Sequence, residues 1–248
     1  MKRIGIIFGA MLCANIAYGD TMNINWIVDG TTYDTTTCTV GGDVSLPTAP
    51  TKYGYTFRGW INYTPIEYIQ TTGAQNINPG IVVGDNVIKV SVDLQLIQTS
   101  VSDTKPVFAC GTDGGTNGGM ATIGLYGSQW NMLLPGTSYN NFVNATTNRI
   151  QFDFTINNGS ASVTGDLNKT STSSNYAYGA AWRSKNCYIF GIIQYKLYSM
   201  KIYMNNTLIR DYVPALDYND VPCLYDKVNN QFYYNTGSGA NFTAGNPI

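Results

Sequence analysis

The sequence predicts an all-β protein with a small N-terminal module and a larger antiparallel β-sandwich or barrel. Runs of alternating polar and apolar residues recur along the chain, and turn sequences rich in Asn and Gly separate them. No segment has the apolar spacing of an amphipathic helix of three turns. Charged residues make up 12% of the chain, well below the roughly 25% of an average soluble domain.

Residues 1–19 have the pattern of a secretory signal peptide. Lys2 and Arg3 supply the positive start, Ile4 to Ile16 is apolar, and Ala17-Tyr18-Gly19 offers small residues for cleavage. The apolar run is too short to span a bilayer. We therefore expect export to the cell surface, the periplasm or the medium.

Residues 20–62 form the small module. They contain a strand-like run from Ile24 to Val28, a Gly41–Gly42 turn, and the stretch Leu46 to Trp60, LPTAPTKYGYTFRGW. This pattern resembles the Listeria–Bacteroides (internalin B-type) repeat, a small β-grasp-like module of bacterial surface proteins. The resemblance implies a location outside the cytoplasm and a role in binding or display. With about 40 residues the module has a marginal core, so we expect it to depend on a neighbour.

A linker is predicted at Asn62 to Ile66, where Pro65 discourages a continuous strand. The following domain is predicted to span residues 66–248. Its clearest strand is Val87–Ile97, in which polar and apolar residues alternate, as in a half-buried strand. Hairpin turns are predicted at Asn157-Asn-Gly159 and at Asn205-Asn206. The other predicted strands are Tyr68–Gln70, Gln75–Ile77, Val107–Cys110, Met120–Tyr126, Gln129–Leu134, Arg149–Ile156, Ser160–Leu167, Cys187–Ile193, Tyr195–Met204 and Thr207–Tyr212.

The ends of this larger domain show a second resemblance. Ile66–Ile77 and the blocks Leu197–Ala215, Cys223–Val228 and Phe232–Gly237 resemble a concanavalin A-like, laminin G-like jelly roll of bacterial and phage surface proteins. The resemblance implies two antiparallel sheets and a ligand surface on the concave face or the rim loops. One branch of the laminin G-like family depends on Ca²⁺, and the loop aspartates here that could supply such a site are Asp113, Asp217 and Asp220.

Several catalytic chemistries are excluded by composition. The chain has no histidine, which removes Ser-His-Asp and Cys-His mechanisms and zinc sites built on imidazole. Glu67 is the only glutamate, and the paired-carboxylate strand motif of the glucanase branch is missing. We therefore expect a protein that is not an enzyme, with no catalytic residues and no required cofactor, and we keep a glycoside hydrolase as the weaker alternative.

The aromatic side chains supply the candidate ligand-binding residues. Tyr176, Tyr178 and Trp182 fall in a long stretch without strand pattern, residues 168–186, and Trp130 and Tyr139 lie beside polar segments. Exposed flat rings complement the C–H face of a sugar. We expect a secreted or surface binding protein that recognises a glycan or another surface ligand through loops. The alternative is a structural or adhesive component without a small ligand.

Charge and cysteine content narrow the partners and the redox state. With 14 basic and 15 acidic residues the chain lacks the basic excess of a nucleic-acid-binding protein. Four cysteines remain beyond the signal peptide, namely Cys38, Cys110, Cys187 and Cys223. Their spacing does not select among the three pairings, and buried free thiols are an equal alternative.

Overall fold

A computed structural model describes residues 2–3, 8–9, 20–28, 31–39, 44–51, 53, 55–56, 63–111, 120–135, 137, 140–157, 159–172, 185–217 and 219–248. Every regular element in these ranges is a β-strand, and none is a helix. The prediction of an all-β protein is therefore confirmed.

The N-terminal part holds two small sheets built from β1 (Lys2–Arg3), β2 (Phe8–Gly9), β3 (Thr21–Val28), β4 (Thr31–Thr39) and β5 (Tyr55–Thr56). Strands β2, β3 and β4 form an antiparallel sheet, while β1 and β5 form a parallel pair. Ile24, Trp26 and Cys38 make a small buried cluster, in which the Trp26 indole N–H donates to the Thr36 hydroxyl at 2.8 Å. Two of these strands, β1 and β2, lie inside the predicted signal peptide.

The rest of the described chain carries β6 (Thr64–Pro65), β7 (Ile69–Gln70), β8 (Gln75–Ile77), β9 (Ile88–Leu96), β10 (Lys105–Gly111), β11 (Met120–Tyr126), β12 (Gln129–Leu133), β13 (Asn140–Asn144), β14 (Arg149–Asn157), β15 (Ser160–Gly165), β16 (Lys169–Thr172), β17 (Cys187–Gly191), β18 (Tyr195–Met204), β19 (Thr207–Leu216), β20 (Pro222–Asp226), β21 (Gln231–Tyr233) and β22 (Thr243–Ala244). They form a six-stranded sheet in the order β13-β12-β11-β10-β17-β8 and a larger sheet in the order β16-β15-β14-β9-β18-β19-β20-β21. In the larger sheet, β7 also pairs with β18 and β22, and β6 pairs with β19.

The two sheets pack face to face, as the predicted sandwich requires. The core-facing residues of β9 are all buried: Ile88, Val90, Val92, Leu94 and Leu96. They belong to one continuous hydrophobic cluster that also contains residues of β10, β11 and β12 from the other sheet. The alternation read from Val87–Ile97 therefore predicted correctly which side of this strand faces the core.

Two hairpin turns predicted from Asn and Gly residues are confirmed. Asn205 and Asn206 have φ values of 48° and 63° and connect β18 to β19, where Met204 pairs with Thr207. Asn tolerates this left-handed backbone better than most residues, so the turn forms without glycine. Strands β14 and β15 also form a hairpin across the second predicted turn.

Cys110 in β10 and Cys187 in β17 are cross-strand neighbours and form a disulfide. The sequence had left this pairing open. Cys38 and Cys223 are buried free thiols, and burial raises the pKa of the Cys223 thiol to about 12. Such a thiol behaves as a small apolar group of the core.

Strands also occur in two stretches for which the sequence predicts none, residues 135–148 and 168–186. Strand β13 lies within residues 135–148, and β16 lies near the start of residues 168–186. Strand β13 is rich in Asn and pairs with β12, where the Asn131 side-chain amide donates to the Asn141 side-chain oxygen at 2.8 Å. A polar edge strand of this kind lacks the apolar alternation by which strands are recognised in a sequence.

The segment between the two predicted domains joins the larger sheet. Ala215 of β19 pairs with Pro65 of β6, and Tyr63, the residue before β6, is only 2% exposed. The Tyr63 ring lies 4.3 Å from that of Tyr225, between ring centroids, and contacts Phe232 edge-on. Residues 63–65 therefore cover an apolar part of the sandwich.

Candidate functional site

The central strands of the larger sheet carry a second, polar face. Because side chains alternate along a strand, the residues between the core positions of β14, β9 and β18 point away from the core. Cross-strand pairing places them in rows such as Gln151–Asp93–Ser199. We call this surface the polar face; it comprises Arg149, Gln151, Asp153 and Thr155 of β14, Lys89, Ser91, Asp93 and Gln95 of β9, and Lys196, Tyr198, Ser199, Lys201 and Tyr203 of β18.

An open cleft of about 550 Å³ lies on the polar face, where β15, β14, β9 and β18 run side by side. We call it the central cleft. Hydroxyl, carboxylate, amide and ammonium groups line it together, so it offers both hydrogen-bond donors and acceptors. Its polar lining residues are Ser91, Asp93, Gln151, Asp153, Thr164, Asp166, Ser199 and Lys201.

Glycine is required at the wall of the central cleft. Gly165 has a φ of +111°, and a Cβ at this position would lie 2.7 Å from the carbonyl oxygen of Gln151. The close approach lets β15 end against β14 and turns the next residue, Asp166, toward β14. The Asp166 carboxylate accepts the backbone N–H of Gln151 at 2.7 Å. Local backbone geometry therefore fixes this carboxylate.

Asp93 is the most highly coordinated side chain of the central cleft. Arg149 donates to both of its carboxylate oxygens, through Nε at 2.7 Å and Nη2 at 2.8 Å, and the Gln151 side-chain amide donates at 2.8 Å. The hydrogen bond with Asp93 raises the pKa of the Arg149 guanidinium, against a smaller opposing effect of burial. Asp93 is thus a pre-oriented acceptor held in one position.

A second cleft of about 820 Å³ lies further along the polar face. Its lining includes Arg149, the residue that forms the ion pair with Asp93 of the central cleft. Its lining includes three cationic side chains, three tyrosines and one carboxylate, and we call it the cationic cleft. The Arg149 guanidinium lies 3.6 Å from the ring centroid of Tyr198, and the Lys196 ammonium lies 4.2 Å from that of Tyr68. The two rings contact each other edge-on at 5.6 Å. Cation and ring geometry therefore rigidify one wall of this cleft.

Trp130, which the sequence predicts to bind ligand, is buried in the core. It lies on β12, is 1% exposed, and packs edge-on against Phe152 of the opposite sheet with ring centroids 5.4 Å apart. The polar residues beside it in sequence point the other way, because neighbouring side chains on a strand alternate. Trp130 is therefore a core residue that joins the two sheets.

The other predicted ligand-binding residues lie outside the described residues. These are Tyr139, Tyr176, Tyr178 and Trp182, and the same holds for the predicted metal ligand Asp113. Their roles remain predictions.

Asp217 acts within its own turn. Its Oδ1 accepts the backbone N–H groups of Asn219 and Val221, at 2.8 and 2.9 Å, and its Oδ2 accepts the Tyr234 hydroxyl at 2.7 Å. Burial raises the pKa of Asp217, but these hydrogen bonds together lower it below the ordinary value. Asp220 lies exposed in the same turn with a φ of 60°. Within the described ranges, no three His, Cys, Asp or Glu side chains are arranged to hold a metal ion.

The sequence carries a signal for the clefts in the polar residues that alternate with the core residues of three strands. Lys89, Ser91, Asp93 and Gln95 already alternate with the core residues of β9, and β14 and β18 repeat the pattern. The strand order β14-β9-β18 brings these side chains together into a site. Arg149 and Asp93, for example, are 56 positions apart in the sequence and form a hydrogen bond across this sheet.

Comparison with known proteins yields a structural likeness only. No protein-family model matches the chain, and no curated protein matches it significantly. A solved structure of the family 7 alginate lyase A1-II′, in complex with substrate, is similar at 17% identity and a TM-score of 0.36. The match covers 52% of this chain and 66% of the lyase chain, so the chain spans just under two thirds of that protein's length. In the described part, no helix is both long and apolar enough to cross a membrane.

The expectation that the chain is not an enzyme is corrected by this match, because the similar jelly-roll protein is a polysaccharide lyase. The absence of histidine and of the glucanase motif excludes particular mechanisms and does not exclude catalysis on such a sandwich. At this identity and TM-score, the likeness assigns neither an activity nor a residue role to this chain.

Proposed function

We propose that this chain is an exported carbohydrate-binding protein and that the central cleft is its primary binding surface. The observation that carries the proposal is the strand-borne cleft of about 550 Å³ lined by hydroxyl, amide, carboxylate and ammonium groups. Export and surface display rest on the N-terminal pattern and on the resemblance of residues 20–62 to a surface-protein repeat.

The composition of the central cleft suits a sugar. A saccharide presents many hydroxyl groups that both donate and accept, so it is bound best by a mixed set of polar groups. Asp93, held by Arg149 and Gln151, is a fixed acceptor, while Ser91 on the same strand and Ser199 on the neighbouring β18 supply hydroxyls. Side chains fixed in advance lose little entropy when a ligand binds.

Tyrosine rings border the same surface. The ring of Tyr203 lies 4.3 Å from the Lys89 ammonium, and that of Tyr198 lies beneath Arg149. Aromatic rings next to polar groups suit the alternating C–H and hydroxyl surfaces of sugars. Tyr176, Tyr178 and Trp182, which the sequence predicts to bind the ligand, are proposed as further contacts to the same glycan.

The proposal can be tested by filling the central cleft with a tryptophan side chain. Ser91→Trp places an indole in the central cleft, and Ser162→Trp places one on the same side of the sheet, opposite Thr155, outside both clefts. Wild-type protein, screened on a glycan array and titrated calorimetrically with its best ligand, should bind. Ser91→Trp should weaken binding at least about tenfold, and Ser162→Trp should leave it unchanged.

Chromatography of the ligand after incubation shows in the same experiment whether the bound glycan is also shortened. If no glycan binds the folded wild-type protein, the proposal is wrong and a structural or adhesive role is favoured. Equal loss of binding in both tryptophan variants would remove the central cleft as the site.

A further inference from the structure

We infer that the ligand is an acidic glycan whose carboxylate or sulfate binds in the cationic cleft, with Lys196 as its direct partner. The inference rests on the proposed function and specifies its ligand class. The neutral, hydroxyl-rich units of the same glycan would occupy the central cleft.

The cations in and beside the two clefts differ in whether a carboxylate compensates them. Three cations at the clefts have carboxylate partners: Lys89 lies 3.5 Å from Asp153, Arg149 lies 2.7 Å from Asp93, and Lys227 lies 3.4 Å from Asp211. Lys196 in the cationic cleft and Lys201 in the central cleft have no carboxylate within ion-pair distance among the described residues. One positive charge of the cationic cleft is therefore left for a ligand.

Lys196 is also positioned rather than free to swing into water. It lies in the middle of the sheet, paired on one side with Gln95 of β9 and on the other with Gln70 of β7. Its side chain is half-buried and its ammonium is held over the Tyr68 ring. A neutral ligand covering this group would remove water from a charge without replacing it, whereas a ligand anion would compensate the charge.

The neighbouring cleft limits where further negative charge can go. The lining of the central cleft holds three carboxylates, Asp93, Asp153 and Asp166, and one cation, Lys201, whereas the cationic cleft holds three cations and one carboxylate. A ligand with an anion at every unit would therefore be disfavoured in the central cleft. A nucleic acid fits poorly for this reason, and the chain has a net charge of −1. The arrangement suits an oligosaccharide in which an acidic unit adjoins neutral ones.

The test uses glycans in matched pairs that differ by one acidic group. The full-length protein is titrated with uronate-bearing and carboxyl-reduced oligosaccharides, with sulfated and desulfated ones, and with a single-stranded DNA dodecamer. We expect the acidic member of at least one pair to bind about tenfold more tightly, and the preference to weaken with added salt. The uronate and sulfate pairs distinguish the two sources of the anion.

Three variants assign the preference to a residue. Lys196→Gln should abolish the preference for the acidic member, while Lys196→Arg should retain most of it. Lys105→Gln, on β10 of the other sheet, makes the same charge change away from both clefts and should have no effect. Melting curves confirm that each variant is folded.

Four other outcomes would contradict the inference or the proposed function. Equal binding of acidic and neutral members overturns the inference and leaves the carbohydrate-binding proposal standing. A preference that survives in Lys196→Gln shows that the acidic group binds elsewhere. DNA binding as tight as that of the best glycan overturns the ligand class, and binding of no glycan overturns the proposed function itself.

Discussion

The two faces of β9, β14 and β18 differ in composition, although they are built from alternate residues of the same strands. On one face Val90, Phe154 and Ile202 are fully buried in the core. On the other, Asp153 and Lys201 line an open cleft. Neighbouring residues of one strand therefore have different roles: one packs in the core of the sandwich, and the next can contact a ligand.

The energetics of the two faces differ accordingly. Burying a large apolar side chain contributes about 1.5–3 kcal/mol, and removing it also leaves a cavity. An exposed ion pair contributes about 0–1 kcal/mol. The charged groups of the polar face can therefore be arranged for recognition with little effect on folding.

One part of the outer face of the same sheet is apolar. Where the outer face reaches β19, β20 and β21, it becomes apolar, with Ala215, Cys223 and Tyr225 buried there. Tyr63 covers this part and also lines the cationic cleft.

The largest contrast is expected between adjacent residues of β14. Phe154→Ala should lower the free energy of unfolding by about 4 kcal/mol, because a fully buried ring is lost and a cavity remains. Thr155→Ala, one residue further on the polar face, should change it by less than about 0.5 kcal/mol. Urea unfolding of both variants measures the difference. Similar losses would show that the two faces are not energetically distinct.

The alternation along a strand could be predicted from the sequence, whereas the site could not. Residues of Val87–Ile97 gave both faces of β9 because the pattern is local. The partner strands are not local: β14 and β18 flank β9 from distant parts of the chain. Trp130 was misplaced for a related reason, since the polar residues next to it belong to the opposite side of the strand.

The apolar part of the outer face gives a second contrast. Tyr63→Ala should lower the free energy of unfolding by about 3 kcal/mol, because the ring that covers Tyr225 and Phe232 is removed. Tyr63→Phe keeps the packing and should cost less than about 1 kcal/mol at neutral pH. Chemical unfolding of the three proteins measures this. A mild effect of Tyr63→Ala would mean that residues 63–65 cover the sheet without stabilising it.

Tyr63 also predicts a pH dependence. Burial, with a smaller effect of Asp211, raises the pKa of Tyr63 to about 12. Above about pH 10 the unfolded chain loses this proton while the folded chain keeps it, so stability falls as the pH rises toward 12. Tyr63→Phe should fall less steeply than wild type over that interval. Parallel curves for the two proteins would contradict the predicted burial of this hydroxyl.

The smallest effect is expected for the ion pair between Lys89 and Asp153 on the polar face. The two charges are 3.5 Å apart, and their side chains are 34% and 39% exposed, so water screens much of their attraction. A double-mutant cycle with Lys89→Met and Asp153→Asn should give a coupling of about 0.5 kcal/mol or less, reduced further by 0.5 M salt. The single Lys89 variant should cost slightly more than the coupling, because it also removes the contact of its ammonium with the Tyr203 ring. A coupling above about 1.5 kcal/mol that persists in salt would mean that the polar face is itself a stabilising network. In that case substitutions in the clefts would change folding and binding together, and the separation of the two faces would fail where it matters most for function.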